Sequence, residues 1–511
     1  MSRSRKSEER GRSARRSTRS IKVKLKGSSW SKSPHSNPKR VSFASSVKKL
    51  DESHVRTFEF GGPVGAFAVT FGLPLVIYLL YFVSSKRGYI FLTFDDIVNV
   101  DVGVEKLKAL WETMLPTEFY SARAGEMGGK AWVTARSVKL FGFWMTLQVV
   151  LERVLPGERV LGVAPLHLPY WISGHLQFWI TLAILLVGNM TLTPLETHPD
   201  PGMMVMGGLG PLPLGIVYDE YLGLITVSSL FSLALSMYLY LSSFHGQNNK
   251  VLAPHGDTGY VMYDFFIGRE LNPRIWGNFD LKEFCELRPG LIGWAVLNIG
   301  MGFKQYEELG YMSFSMVLII LYQGFYVWDA LYNERAILTT MDITTDGFGY
   351  MLAFGDLAWV PFIYSLQARY LVEDDPLLSP LQLVAISALH FLGMYIFRMA
   401  NNEKDRFRKD PEGEASAHLR YMETKRGTKL LISGWWGMAR KINYTGDWLI
   451  TLAWCLLCGF KSPVPYFQAI YFLVLLVHRA QRDDQMCRDK YGDDWELYKH
   501  HVPYLFIPHV W

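Results

Sequence analysis

VGAFAVTFGLPLVIYLLYFV, Val64 to Val83, is a run of 20 residues without a charge. A helix rises about 1.5 Å per residue, so this stretch matches the ~30 Å hydrocarbon core of a bilayer. Tyr170 to Met190 and Leu222 to Phe244 have the same character. Further apolar stretches lie at Ser137 to Leu155, Gly290 to Phe303, Tyr311 to Trp328, Phe348 to Leu371, Pro380 to Phe397, Trp448 to Phe460 and Val464 to Val477. The expectation is an all-α polytopic membrane protein with roughly eight to ten transmembrane helices. Polar residues interrupt the later stretches, and polar groups in lipid are expensive, so these helices are expected to surround a water- or ligand-filled cavity. That favours an enzyme or a transporter over a plain anchor. No internal repeat or pair of broken helices supports a transporter.

Charge is distributed unevenly around this core. Residues 1 to 56 hold 17 Lys and Arg against 4 Asp and Glu, a net of +13, so the remainder carries +5 − 13 = −8. Residues 1 to 57 read as a Ser/Arg-rich disordered tail on the cytosolic or nucleoplasmic side of the membrane. No cleavable signal peptide precedes it, so the first span is expected to act as the insertion signal. Such a tail attracts polyanions, and serine phosphorylation between its arginines would weaken that attraction. Within it Arg40, Val41 and Phe43, with Ser42 between them, match the RVxF docking peptide for protein phosphatase 1. An extended segment of this kind docks by adding to a sheet edge. The four cysteines are too few and scattered for a disulfide framework, and the CxxC of Cys455 and Cys458 sits in an apolar run without a second ligand pair, so no metal site is expected.

Four blocks carry polar residues into the apolar region. GYVMYDFFIGRELNPR, Gly259 to Arg274, reads as a buried loop or helix end with Asp264, Arg269, Glu270 and Arg274 paired among themselves and Pro273 breaking the helix. TTMDITTDGFGYMLAFGDLAWVPF, Thr339 to Phe362, places Asp342, Asp346 and Asp356 beside glycines. LLISGWWGMARKINYTGD runs from Leu430 to Asp447, and HRAQRDDQMCRDKYGDDWELY from His478 to Tyr498. Together these blocks resemble the sterol reductase family that includes delta-14 sterol reductase, 7-dehydrocholesterol reductase and lamin B receptor. The resemblance runs from about residue 58 to the C-terminus. EFGGPVGAFAVTFGLPL at the first span, CELRPGLIGW at Cys285 to Trp294 and the basic tail look most like the lamin B receptor branch. A Tudor domain of that branch is not recognisable ahead of the tail.

The resemblance implies reduction of a sterol ring double bond with NADPH, in the endoplasmic reticulum and nuclear inner membrane. No GxGxxG follows a strand, so the dinucleotide is not expected on a Rossmann fold. In NNEKDRFRKDP, Lys404 and Arg408 are four residues apart, so on a helix they share a face able to clamp phosphate. The alternative reading of this pair is a positive flank after the preceding span. The resemblance makes Lys404 and Arg408 cofactor contacts, and with them Leu431, Trp436, Asn443, Tyr444, Arg479, Asp483, Cys487, Lys490, Tyr491 and Tyr498. Trp436 alone would also suit an interfacial belt. The cofactor region is expected mainly in residues 400 to 511 of a membrane domain spanning 58 to 511.

Tyr326 and Asp483 are the pair the resemblance implies on the proton-donating side. Two departures stand out. Where the family has Arg-His-Pro-Asn-Tyr, this chain has Arg440, Lys441, Ile442, Asn443 and Tyr444, and the family's Asp-Glu is here Asp483 and Asp484. These departures leave open a second class of function, a catalytically silent nuclear-envelope tether that kept the reductase fold. The expected partners are a sterol and membrane lipid, with lamin, chromatin or nucleic acid and protein phosphatase 1 as candidates for the tail.

Overall fold

The structure, a computed structural model, describes residues 58–84, 92–99, 101–106, 108, 132–163, 167–194, 204–209, 213–245 and 250–510. The tail and its Arg40, Val41, Phe43 motif lie outside the described residues.

Helix α1, Gly62–Val83, contains the run that opened the analysis, and Pro63 stands in its first turn, where a missing N–H costs nothing. Next come α2 (Ala135–Val154), α3 (Gly174–Asn189) and α4 (Tyr221–Ser242). Short helices α5 (Val261–Ile267) and α6 (Leu281–Cys285) lead through a π-helical turn at Glu286–Ile292 into α7, Gly293–Leu309. After α8, Phe314–Tyr332, the chain forms a broken helix: α9 (Tyr350–Phe354), a second π-turn at Gly355–Trp359, α10 (Val360–Tyr364) and α11 (Leu366–Glu373). Helix α12 runs from Pro380 to Lys409, capped by Ser379. The C-terminal part holds α13 (Trp435–Met438), α14 (Ile442–Leu456), α15 (Phe467–Tyr491) and α16 (Asp493–His501).

Four helices, α1, α4, α8 and α12, are long and apolar enough to cross a membrane, and α3 is a shorter apolar helix. The other expected spans fall on helices that carry charges, such as α2, or that break into pieces, such as α9 to α11. The fold is mostly helical but not wholly so, because the described residues also contain four two-stranded antiparallel hairpins. One of them pairs β1 (Glu158–Leu161) with β2 (Pro169–Ile172), and another pairs Tyr421–Glu423 with Lys429–Leu431.

The block Gly259 to Arg274 is buried, but its charges do not pair among themselves. Asp264 accepts from Thr258 and from the Gly259 backbone, Arg269 bonds Asp257 and Ser243, Glu270 meets Lys250, and Arg274 meets Asp280. Helix α5 ends at Gly268, with φ of 95°, and not at Pro273. Residues close in sequence point apart on a tight turn, so Arg269, Glu270 and Arg274 find partners outside the block, while Asp264 binds the turn just ahead of its own helix.

Helices α12 and α14 cross at two glycines. A Cβ on Gly393 would stand 2.8 Å from the Gly446 carbonyl, and one on Gly446 would stand 2.7 Å from the Gly393 carbonyl. Small residues let two backbones touch in a membrane bundle. This crossing brings the polar end of α12 beside the start of α14.

Candidate active site

Three helix ends converge beyond that crossing. On α12, the Lys404 ammonium lies 3.9 Å from the centre of the Trp436 ring. Trp436 is buried, donates its indole N–H to the Ala400 carbonyl at 2.7 Å, and packs with Phe407, Leu419 and Leu431. It is a wall of this site and not a belt residue. Glu403 accepts the Trp435 backbone N–H at 2.8 Å, which ties α13 to α12. Arg408, one turn beyond Lys404, is exposed and has no hydrogen bond or ion pair among the described residues. Lys404 and Arg408 therefore differ: one ammonium is stacked on an indole, and one guanidinium is free to meet an anion.

From α14, Asn443 donates to Asn401 at 3.2 Å, while its Oδ1 is buried without a hydrogen bond among the described residues. Tyr444 lies beside it, with the Lys441 ammonium 5.6 Å from its ring centre. Lys441 pairs with Asp483 of α15. Burial acts to raise the Asp483 pKa, but Lys441 and Lys404 outweigh it and hold this carboxyl below the usual carboxylate range. Asp483 is thus an anion at neutral pH. Cys487, one turn on, points its Sγ at Asp483 from 3.9 Å, and burial together with that anion pushes its thiol up to about 11. Tyr498 is buried against Trp495 at 5.0 Å, in a cluster with Cys487 and Tyr491, while Lys490 is exposed over the Tyr491 ring.

Helix α15 is fixed by a ladder of ion pairs. Arg479 meets Asp342 at 2.8 Å and Arg482 meets Asp346 at 2.7 Å. The segment bearing these aspartates is held from below by Lys282, whose buried ammonium donates to the carbonyls of Asp342 and Asp346 at 2.6 and 2.7 Å. Asp484 faces away from the Lys441 pair, accepting the Trp495 indole N–H at 2.9 Å and pairing with Arg488. The second carboxylate of the acidic pair is therefore an anchor for α16. Of the two residues in place of His-Pro, Lys441 supplies the partner of Asp483 and Ile442 packs with Ala400 and Ala439.

One turn inward from Asn443 on α14 lies Asp447. The Tyr326 hydroxyl donates to Asp447 Oδ1 at 3.0 Å, and no hydrogen bond joins Tyr326 to Asp483. Asp483 meets Lys441 at the start of α14, whereas Tyr326 on α8 meets that helix more than one turn deeper, at Asp447. Around Tyr326 stand Trp294 and Trp454, with ring centres 5.9 and 5.4 Å away, and Tyr364 stacks edge-on to Trp294 at 5.1 Å. Asp447 was legible only as the end of a block; its spacing of four from Asn443, which puts both on one helix face, was the available signal.

The arrangement offers exposed and half-buried cations at one end, an orphaned amide oxygen in the middle, and a hydroxyl-carboxylate pair in an aromatic cage at the inner end. The chain is 55% identical over 304 residues to the delta(14)-sterol reductase erg24 of Schizosaccharomyces pombe, covering 59% of this chain and 71% of that protein. It is 40% identical over 475 residues to the delta(14)-sterol reductase ERG24 of Candida albicans, covering 89% and 97%. With the delta(14)-sterol reductase LBR of Gallus gallus it shares 39% identity over 477 residues, covering 92% and 67%, so the likeness is not confined to one branch. The ergosterol biosynthesis ERG4/ERG24 family profile matches residues 54–511, nearly the whole chain, and the protein belongs to that family.

Proposed function

We propose that the protein is an NADPH-dependent delta-14 sterol reductase of the endoplasmic reticulum membrane, with the remaining apolar stretches completing eight to ten crossings. The observation that carries this reading is the continuity of α14, which joins a cationic end at Lys441 to the Tyr326–Asp447 pair within two turns. The residues fit the cofactor: Arg408 and Lys404 suit phosphate, the Trp436 wall suits a flat ring, and the buried Asn443 Oδ1 suits a carboxamide donor. When bound, NADPH supplies hydride to one carbon of the sterol alkene. The other carbon takes a proton, and Tyr326 is the hydroxyl placed to give it. Asp447 fixes that hydroxyl, and the faces of Trp294 and Trp454 stabilise the positive charge that develops on the alkene. Asp483, an anion bound to Lys441, orders the cofactor end and does not donate a proton.

Membranes expressing the chain should convert a delta-8,14 sterol to its delta-8 product with NADPH, followed by mass spectrometry. Asn443→Ala should lose most of that product, roughly tenfold or more, because a buried amide contact is removed. Absence of product from well-folded protein would favour the silent tether.

We assign the tail a second role, binding lamin or chromatin at the nuclear inner membrane, on the strength of its net charge of +13 over residues 1 to 56. Deleting residues 1–57 should release the protein from the nuclear rim into the general reticulum. Unchanged rim retention sinks that role. The Arg40, Val41, Phe43 segment is proposed as the phosphatase contact, and loss of phosphatase co-purification in the same deletion is the corresponding result.

A further inference from the structure

The residues just ahead of α1 are clasped by segments far along the chain. Phe58 stands edge-on to Tyr260 and Tyr263 at 5.5 and 5.1 Å, and the Glu59 backbone N–H donates to the Tyr263 hydroxyl at 2.8 Å. The Glu59 carboxylate meets Arg482 at 2.7 Å. The Phe60 ring lies 4.8 Å from the His478 imidazole and 5.6 Å from the Arg482 guanidinium.

Phe60, Gly61 and Gly62 all have positive φ, at 53°, 76° and 70°. Left-handed backbone is costly for a residue with a Cβ, and phenylalanine adopts it only when its surroundings hold it. The turn presses onto α1: a Cβ on Gly65 would stand 1.7 Å from the Phe60 carbonyl oxygen. The strained turn thus aims Glu59 and Phe60 at α15.

On α15, His478 and Arg482 share one face, and Arg479 and Asp483 share the face one residue, about 100°, further round. Arg482 is nearly buried and is held from two sides, by Glu59 and by Asp346. A roll of α15 at the first pair therefore displaces the second pair as a unit.

We propose that Phe58 to Phe60 form a strap that sets the roll of α15, making Glu59 and Phe60 positioning residues for the cofactor end more than 400 residues away. The proposal rests on reading Lys404, Arg479 and Asp483 as that end. Neither strap residue touches the Tyr326–Asp447 pair in the described contacts, so the strap governs cofactor affinity and leaves the inner chemistry alone.

The test is steady-state kinetics in membranes of full-length protein together with direct NADPH binding to the purified protein by fluorescence titration, which should weaken in step with KM, with Glu59→Gln, Glu59→Ala, Phe60→Leu and Lys404→Met compared at equal folded protein. Glu59→Ala and Phe60→Leu should raise KM for NADPH about threefold to thirtyfold, the range of coupling seen for residues that touch no ligand, with kcat and the sterol KM within about twofold. Glu59→Gln keeps the hydrogen-bond acceptor and should recover part of the loss. If Lys404→Met raises the NADPH KM while both strap variants leave it unchanged, the strap is overturned and the site stands. If Lys404→Met also leaves it unchanged, the cofactor reading itself falls and the strap with it. A strap variant that lowers kcat and the yield of folded protein together, with KM constant, shows a structural role only and also overturns the proposal.

Discussion

Tyr326→Phe is expected to lower sterol turnover by about 10²- to 10⁴-fold, the contribution of a positioned proton donor, with the NADPH KM within about twofold of the parent. The substitution removes one oxygen from a ring whose packing against Trp294 and Trp454 is otherwise retained. Among the described residues the hydroxyl makes one hydrogen bond, to Asp447 at 3.0 Å, so the change leaves Asp447 without its donor at the inner end of α14 and alters nothing at Lys404 or Asn443. Asp447→Asn keeps the shape and an oxygen acceptor for the Tyr326 hydroxyl, so it is expected to fall between the parent and Tyr326→Phe. Product is measured by mass spectrometry of extracted sterols and cofactor binding by NADPH fluorescence. Turnover of Tyr326→Phe within tenfold of the parent would remove this hydroxyl from the chemistry.

Arg288→Met should destabilise the protein by about 3–5 kcal/mol, the loss seen when one partner of a buried ion pair is deleted. Arg288 has no exposed surface, and its guanidinium meets Glu152 and Glu334 at 2.7 Å each and Glu283 at 3.4 Å. Methionine fills much of the volume but leaves three buried carboxylates with no cation. Glu334 also accepts the Gly174 backbone N–H at 2.8 Å, so the first turn of α3 is held through the same cluster. Most of the protein should therefore be lost from the monodisperse detergent-extracted fraction, whereas Arg153→Met, at a nearby exposed cation, should be nearly neutral. Adding Glu152→Gln, Glu283→Gln and Glu334→Gln to Arg288→Met should restore much of the yield, because neutral amides need no counter-charge. A melting temperature of Arg288→Met equal to that of the parent would refute the central role of this cation.

Part of the local geometry of the candidate site was legible before the fold. Lys404 and Arg408 had helical spacing in the sequence and lie on one helix, and Arg479 and Asp483 do the same on α15. Their partners were not legible. Asp483 takes Lys441, a residue at which this chain departs from the family pattern. Tyr326 takes Asp447 where α8 meets α14, and no spacing within either helix encodes the depth of that contact.

By itself the sequence determined the apolar runs, the uneven charge and the helix faces, because these depend on residues a few positions apart and on transfer from water to an apolar medium. It also carried the four blocks that mark the family. Only the tertiary structure decided which charges meet: Glu59 with Arg482, Arg479 with Asp342, Arg288 with its three carboxylates. A buried charge must find a counter-charge wherever the packed helices place one, and that place is set by the packing of the whole bundle and not by distance along the chain.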